Sequence, residues 1–211
     1  MVNGIIAVVL GYLLGSIPSA YIATRVATGK DVRQLGGGNV GGVNVYREVG
    51  AIPALAVAIV DLGKGAAAVA IAQWLLYVSQ PFVLLTALAV VAGHNWMVFL
   101  KFSGGKGMGA AIGALSLLFP LYGYSLGLAF FLGAILIPLV ITRNIALSMG
   151  IALVLLPLIG WLGVKSTPFI IFSIVLGLII LVKFFPTARA ALARAESKKA
   201  FIFDRGKRGK R

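Results

Sequence analysis

Gly104-Gly105-Lys106-Gly107, set between one apolar run and the next, combines the residue types that an anion site needs. Glycines without a Cβ let backbone N–H groups come close to a ligand, and a helix beginning here would aim its positive end at that ligand. Lys106 adds a full charge, so the segment reads as a phosphate cradle. The same four residues would also make a tight turn between two membrane helices, with the lysine marking the cytoplasmic side. They do not make a Walker A loop. Gly107 follows the lysine where Ser or Thr is required, and Leu100 occupies the place of the earlier glycine.

A second polar, glycine-rich stretch, 30–50, is long for a simple connection and therefore reads as functional. Gly36, Gly38 and Gly41 satisfy the dinucleotide fingerprint in form, but no strand, crossover helix or βαβ context surrounds them. What is left is a flexible backbone at Gly36, Gly37 and Gly38 carrying Arg33, Arg47, Asn39 and Asn44. Arginine suits two-pronged phosphate contacts, and asparagine can both donate to and accept from a hydroxyl. A solvated loop that only sets topology is the other reading of the same residues.

Asp61 and Lys64 stand i, i+3 inside an apolar run, hence on one helix face, and the favoured reading is a structural pair facing the protein interior. His94 closes the apolar run ahead of the Gly104–Gly107 turn, as a hydrogen-bonded anchor or as a participant at the cradle. Arg143 is a lone charge in a short turn and taken alone marks topology. With a single histidine and no acidic residue near it in sequence, a Ser-His-Asp nucleophile has little support. A site made from these parts would work by positioning and electrostatic stabilisation.

The elements that must hold these residues are membrane helices. Of 211 residues 60% are hydrophobic and 11% charged, too apolar for a soluble domain. The pattern predicts an all-α, polytopic, multi-pass protein with about seven spans, at 4–28, 51–78, 81–100, 107–119, 123–141, 145–163 and 167–185. Pro138 and Pro157 are candidates to kink theirs. Alternate connections hold Lys30, Arg33 and Arg47; Lys101 and Lys106; Arg143; and the tail, while the opposite ones hold only Lys165. The positive-inside rule then puts the N-terminus outside and the C-terminus in the cytoplasm, with every glycine-rich loop on the cytoplasmic side. The domain division expected is an integral-membrane domain over 1–187 and a basic cytoplasmic tail over 188–211. The formal charge of +14 is read as topology and attraction to anionic lipid, not as nucleic-acid binding. Without cysteine, and with one histidine and five acidic residues, neither a metal site nor a cofactor is expected. A small-solute transporter is disfavoured by the lack of internal repeats.

Taken together the loops resemble a known family, the bacterial membrane glycerol-3-phosphate acyltransferases that use acyl phosphate (the PlsY type). The resemblance rests on the run from Gly36 to Asn44 after Asp31-x-Arg33, on Asp61-x-x-Lys64-Gly65, and on Gly93-His94 through Phe99 followed by Phe102-x-Gly104-Gly105-Lys106-Gly107. It implies a seven-helix enzyme of the bacterial inner membrane that moves an acyl chain from acyl phosphate to glycerol 3-phosphate in phospholipid synthesis. It further implies that the Gly104–Gly107 loop with Lys106 binds phosphate, that Asn39, Asn44 and Arg47 line the reacting centre, and that His94 supports them. Contact with the enzyme producing acyl phosphate would go with this. Where the family pattern has hydroxyls, this chain has Gly37, Val43, Ala110 and Ala146. A paralogue that binds lipid or acyl phosphate without the reaction is therefore the alternative.

Overall fold

The computed structural model describes residues 1–194 and is all-helical there. The helices are α1 (Val2–Gly15), α2 (Ser19–Thr28), α3 (Gly42–Glu48), α4 (Ala51–Ala70), α5 (Gln80–Asn95), α6 (Met108–Leu121), α7 (Leu126–Thr142), α8 (Ile145–Ile159) and α9 (Thr167–Arg194). Four helical runs are long and apolar enough to cross a membrane: Val2–Thr28, Ala51–Leu75, Ile145–Val164 and Thr167–Pro186. Three shorter apolar helices, α5, α6 and α7, lie between the second and third of these in sequence. Their outward faces carry Ile52, Leu55 and Ile59 on α4 and Ile137 and Val140 on α7, all exposed, as lipid-facing helices require and a soluble surface does not. The chain divides into two compact units, Met1–Gly123 and the remainder from Tyr124.

In the first unit α1 packs on α5, and α4 on α6. In lipid no hydrophobic gain draws helices together, so backbone proximity must supply the attraction. Both pairs are fastened by glycines set against the other helix's carbonyls. A Cβ at Gly15 would overlap the Val90 carbonyl, and one at Gly93 the Tyr12 carbonyl. A Cβ at Gly65 would likewise overlap Ala110 O, and one at Gly113 Leu62 O. Tyr12 Oη adds a 2.7 Å bond to the Trp96 carbonyl just beyond α5.

The structure differs from the expected spans in four places. The first run is two helices, because Pro18 has no N–H to continue α1 and restricts the residue before it. The run expected over 81–100 stops being α-helix at Asn95 and continues through a 3-10 turn, Val98–Leu100. The stretch 30–50, expected to be flexible, is ordered by a 3-10 turn at Val32–Gln34 and by α3. The last helix does not stop near 185 but runs through Pro186 to Arg194. Most of the basic tail, including Lys198, Lys199 and Arg205, lies outside the described residues.

In the second unit α8 packs against α7 and α9 over buried Phe131, Leu156, Phe169 and Leu176. Pro138 and Pro157 lie inside α7 and α8. Between these helices Arg143 takes the left-handed conformation at the α7 end, and Asn144 Oδ1 accepts from Leu147 N at 3.1 Å to cap α8.

The glycine contacts predict the outcome of adding one methyl group. Gly65→Ala forces α4 away from α6 and lowers unfolding stability in detergent by about 1–3 kcal/mol. Gly63→Ala, two residues away with open space beside it, leaves the thermal transition unchanged.

Candidate active site

The first loop is built around Asn44. This side chain is buried; its amide nitrogen donates to the carbonyls of Leu35 at 3.0 Å and Val32 at 3.4 Å, and its oxygen accepts from Gly37 N at 3.3 Å. The chain can fold back over Asn44 because Gly36 adopts φ +52°, where a Cβ would meet Asn44 Oδ1 and Glu48 Oε1, both at 2.6 Å. Asp31 caps the 3-10 turn through a 2.9 Å bond from Arg33 N and also takes the Arg33 guanidinium at 2.6 Å. That pairing holds the Asp31 carboxyl below, and the Arg33 guanidinium above, their ordinary ranges. Of the two arginines read as phosphate ligands, Arg33 is thus engaged by Asp31, while Arg47 extends from α3 with its side chain exposed. Asn39 is half-buried, its amide nitrogen 2.9 Å from where a Gly41 Cβ would stand.

The second loop turns back on the end of α5. Gly105 N donates to the His94 carbonyl at 3.0 Å, and Met97 pairs with Ser103 in an isolated antiparallel bridge. Gly107, at φ +77°, starts α6 with its missing Cβ facing Asn95 Oδ1 at 2.6 Å. The closest packing is at Gly105. A Cβ there would overlap His94 Nε2 and stand 2.6 Å from the Val40 carbonyl. Val40 belongs to the first loop, so Gly105 is the point where the two glycine-rich loops meet.

Lys106, next to that contact, is half-buried. Burial lowers its pKa below the usual lysine range, and the positive field of Arg47 lowers it further. The charges of two residues about sixty apart in sequence are thus within electrostatic reach of each other, which favours an anion nearby.

Beneath the loops lies a constellation that sequence spacing did not reveal. Asp61 Oδ1 accepts from Ser19 Oγ at 2.7 Å, lies 3.0 Å from Lys64 Nζ and 3.5 Å from His94 Nδ1. Lys64 Nζ also donates to the Ile17 carbonyl at 3.3 Å, exposed where Pro18 breaks the first helical run. The sole histidine thus does have a carboxylate neighbour, brought to it by the fold. The order is not that of a nucleophile triad, since the Ser19 hydroxyl donates to the carboxylate and not to the ring. The only sequence signal was the pair of charges inside an apolar run. Arg143 belongs to the second unit, where it is exposed in the turn between α7 and α8.

Comparison with known proteins bears on this geometry. The family model described as glycerol-3-phosphate acyltransferase matches residues 5–194. Glycerol-3-phosphate acyltransferase 1 of Dehalococcoides mccartyi is 47% identical over 96% of this chain and 97% of that protein. Glycerol-3-phosphate acyltransferase 2 of the same species is 38% identical over 93% of this chain and 90% of that one. A crystal structure of PlsY (YgiH), an integral membrane glycerol 3-phosphate acyltransferase in its glycerol 3-phosphate form, superposes with a TM-score of 0.78. It is 28% identical and covers 90% of this chain and 92% of that one. The lysophosphatidic acid form of PlsY gives a TM-score of 0.76 at 27% identity over the same shares.

The electrostatics of Lys106 predict how anion affinity responds to pH. The ammonium holds an anion while protonated, so inorganic phosphate should bind progressively less well as pH rises, the loss setting in below the pH at which an ordinary lysine titrates. In Lys106→Arg the guanidinium stays charged, and calorimetric titration should find a flat affinity over the same rise.

Proposed function

Because the chain belongs to the glycerol-3-phosphate acyltransferase family, we propose that it moves an acyl group from acyl phosphate to the C1 hydroxyl of glycerol 3-phosphate. The products are lysophosphatidate and inorganic phosphate, and the step belongs to phospholipid synthesis. What supports the reading is the meeting of the two glycine loops at Gly105, next to Lys106, whose ammonium lies within the positive field of Arg47.

In the reaction the hydroxyl oxygen of the acceptor bonds to the acyl carbon, the acyl–phosphate C–O bond breaks, and the released phosphate takes the hydroxyl proton. A donor activated in this way needs neither a serine nucleophile nor a dedicated base, which accords with Ser19 being committed to Asp61. Lys106 and Arg47 bind and neutralise phosphate, with backbone of Gly104, Gly105 and Gly107 closing around it. Asn39 lines the reacting centre. Asn44 acts through the loop it fastens, keeping Gly36, Gly37 and Gly38 in place, and His94 acts through Gly105. Arg33 contributes charge from its pair with Asp31.

The enzyme sits in the bacterial inner membrane with seven spans, its N-terminus outside and the basic tail over 188–211 cytoplasmic; the support is the gathering of lysine and arginine in alternate connections. This orientation turns both glycine loops toward the cytoplasm, the side on which an enzyme supplying acyl phosphate would make contact. A second reading, a paralogue that binds acyl phosphate or lipid without transferring the chain, is favoured by Gly37, Val43 and Ala110 at positions where the resemblance calls for hydroxyls.

One assay separates them. Purified protein given palmitoyl phosphate should release phosphate in proportion to added glycerol 3-phosphate, and Lys106→Ala should lose at least about a hundredfold in kcat/KM. Release from folded wild type no greater than from the variant would sink the enzyme reading and leave the binding paralogue.

A further inference from the structure

Phe99 and Phe102 are each 61% exposed, and Lys101 between them is exposed as well, in the loop that joins α5 to α6. Neither phenylalanine has a place in the reaction as drawn. The loop is nonetheless fixed: Met97 and Leu100 are buried beneath it, and Met97 pairs with Ser103 across its base. Lys101 and Phe102 take φ +54° and +61°, a left-handed conformation that bulky side chains rarely adopt. A strained turn is thus held while both rings stay outside the core.

Two observations identify what covers the rings. The successive amides from Leu100 to Ser103 all donate within the loop. Leu100 N and Phe102 N donate to the Met97 carbonyl at 3.1 and 2.9 Å, Lys101 N to that of Val98 at 3.4 Å, and Ser103 N to that of Leu100 at 3.1 Å. A loop in water has no such need, whereas hydrocarbon leaves no backbone donor another partner. The helices that carry the loop are also short. α5 has 16 residues and α6 has 14, lengths of about 24 and 21 Å against a hydrocarbon core of about 30 Å. With their far ends, Gln80 and Leu121, at one face of the membrane, the loop stops about 6–9 Å inside the opposite boundary.

We propose that the loop 97–103 is seated in the bilayer: Phe99 and Phe102 lie among the lipid acyl chains of the leaflet on that side, and Lys101 reaches up to lipid phosphate. The seat keeps the adjoining Gly104–Lys106 segment close to the level where headgroups give way to chains. An amphiphilic acyl phosphate then meets the segment with its chain still in lipid, while glycerol 3-phosphate arrives from water. That consequence rests on the acyltransferase reading; the seat itself does not.

The chain has no cysteine, so Phe99→Cys or Phe102→Cys carries a single nitroxide label that reports its own depth. In nanodiscs, oxygen, which concentrates in lipid, should relax either label more than a water-soluble nickel chelate does. The same order is expected at Ile59→Cys on the outward face of α4, and the reverse at Lys30→Cys in the first polar loop. Stronger relaxation by nickel at 99 and 102 overturns the proposal. Weak relaxation by both reagents means that protein covers the patch, a second copy for example, and overturns it equally. Should the Phe102 variant fail to fold, the Phe99 label decides alone. Phe99→Ser/Phe102→Ser should then raise KM for palmitoyl phosphate about fivefold or more and leave KM for glycerol 3-phosphate unchanged. Equal effects on both substrates, or on neither, overturn the role in donor binding. A wild type that releases no phosphate refutes the acyltransferase reading, and the label depths still decide the seat.

Discussion

A carboxylate and an ammonium cannot be left unpaired in a hydrocarbon environment, and much of the first unit is arranged around satisfying Asp61 and Lys64. Each is nearly sealed from solvent on α4. Their mutual contact is not enough, because an ammonium carries three donors and a carboxylate has several acceptor sites. The remaining capacity is met by the break between α1 and α2. Pro18 ends the helical ladder there, exposing the Ile17 carbonyl to Lys64, and the next residue, Ser19, donates to Asp61. A helix interruption that would be costly in lipid is tolerated because it is buried in protein and supplies the polar groups that the ion pair lacks.

Close backbone approach does the rest. The glycines at 15, 65, 93 and 113 bring helices near enough for carbonyls to occupy the space of absent Cβ atoms. The same device recurs at the loop junction, where a Cβ on Gly105 would meet both the His94 ring and the Val40 carbonyl. Helix packing and loop assembly therefore share one constraint, and the position of Lys106 follows from contacts made by its glycine neighbours.

The resulting site holds its charges apart from its scaffold. Asn44 and Asp31 fix the first loop, while Arg47 extends from α3 with its side chain exposed and Lys106 stands half-buried next to the loop junction. Cations within reach of each other repel, and an anion between them would relieve that repulsion. In the reaction proposed, such a site would fix an already activated donor against its acceptor, a task for which rigidity of the loops matters more than an acid–base dyad.

Composition and hydrophobic patterning were enough to establish an all-helical membrane protein, since apolar runs of this length have few other fates. Glycine and lysine at Gly104–Gly107 and the arginines and asparagines of 31–47 also marked both loops, because their residue types are unusual between apolar helices. What the linear order could not supply was which loop residues face a ligand. Asn44 and Arg33 have the chemistry of ligands, yet one fastens the loop and the other is paired with Asp31, roles settled by backbone turns at Gly36 and Val32–Gln34. Nor could it supply the meeting of Asp61 with His94, or the reach of the Arg47 charge to Lys106. Periodicity reports which face of a helix is apolar, but contacts between residues tens of positions apart depend on how closely helices approach. Here that distance is decided by glycine against carbonyl, and only the assembled tertiary structure expresses it.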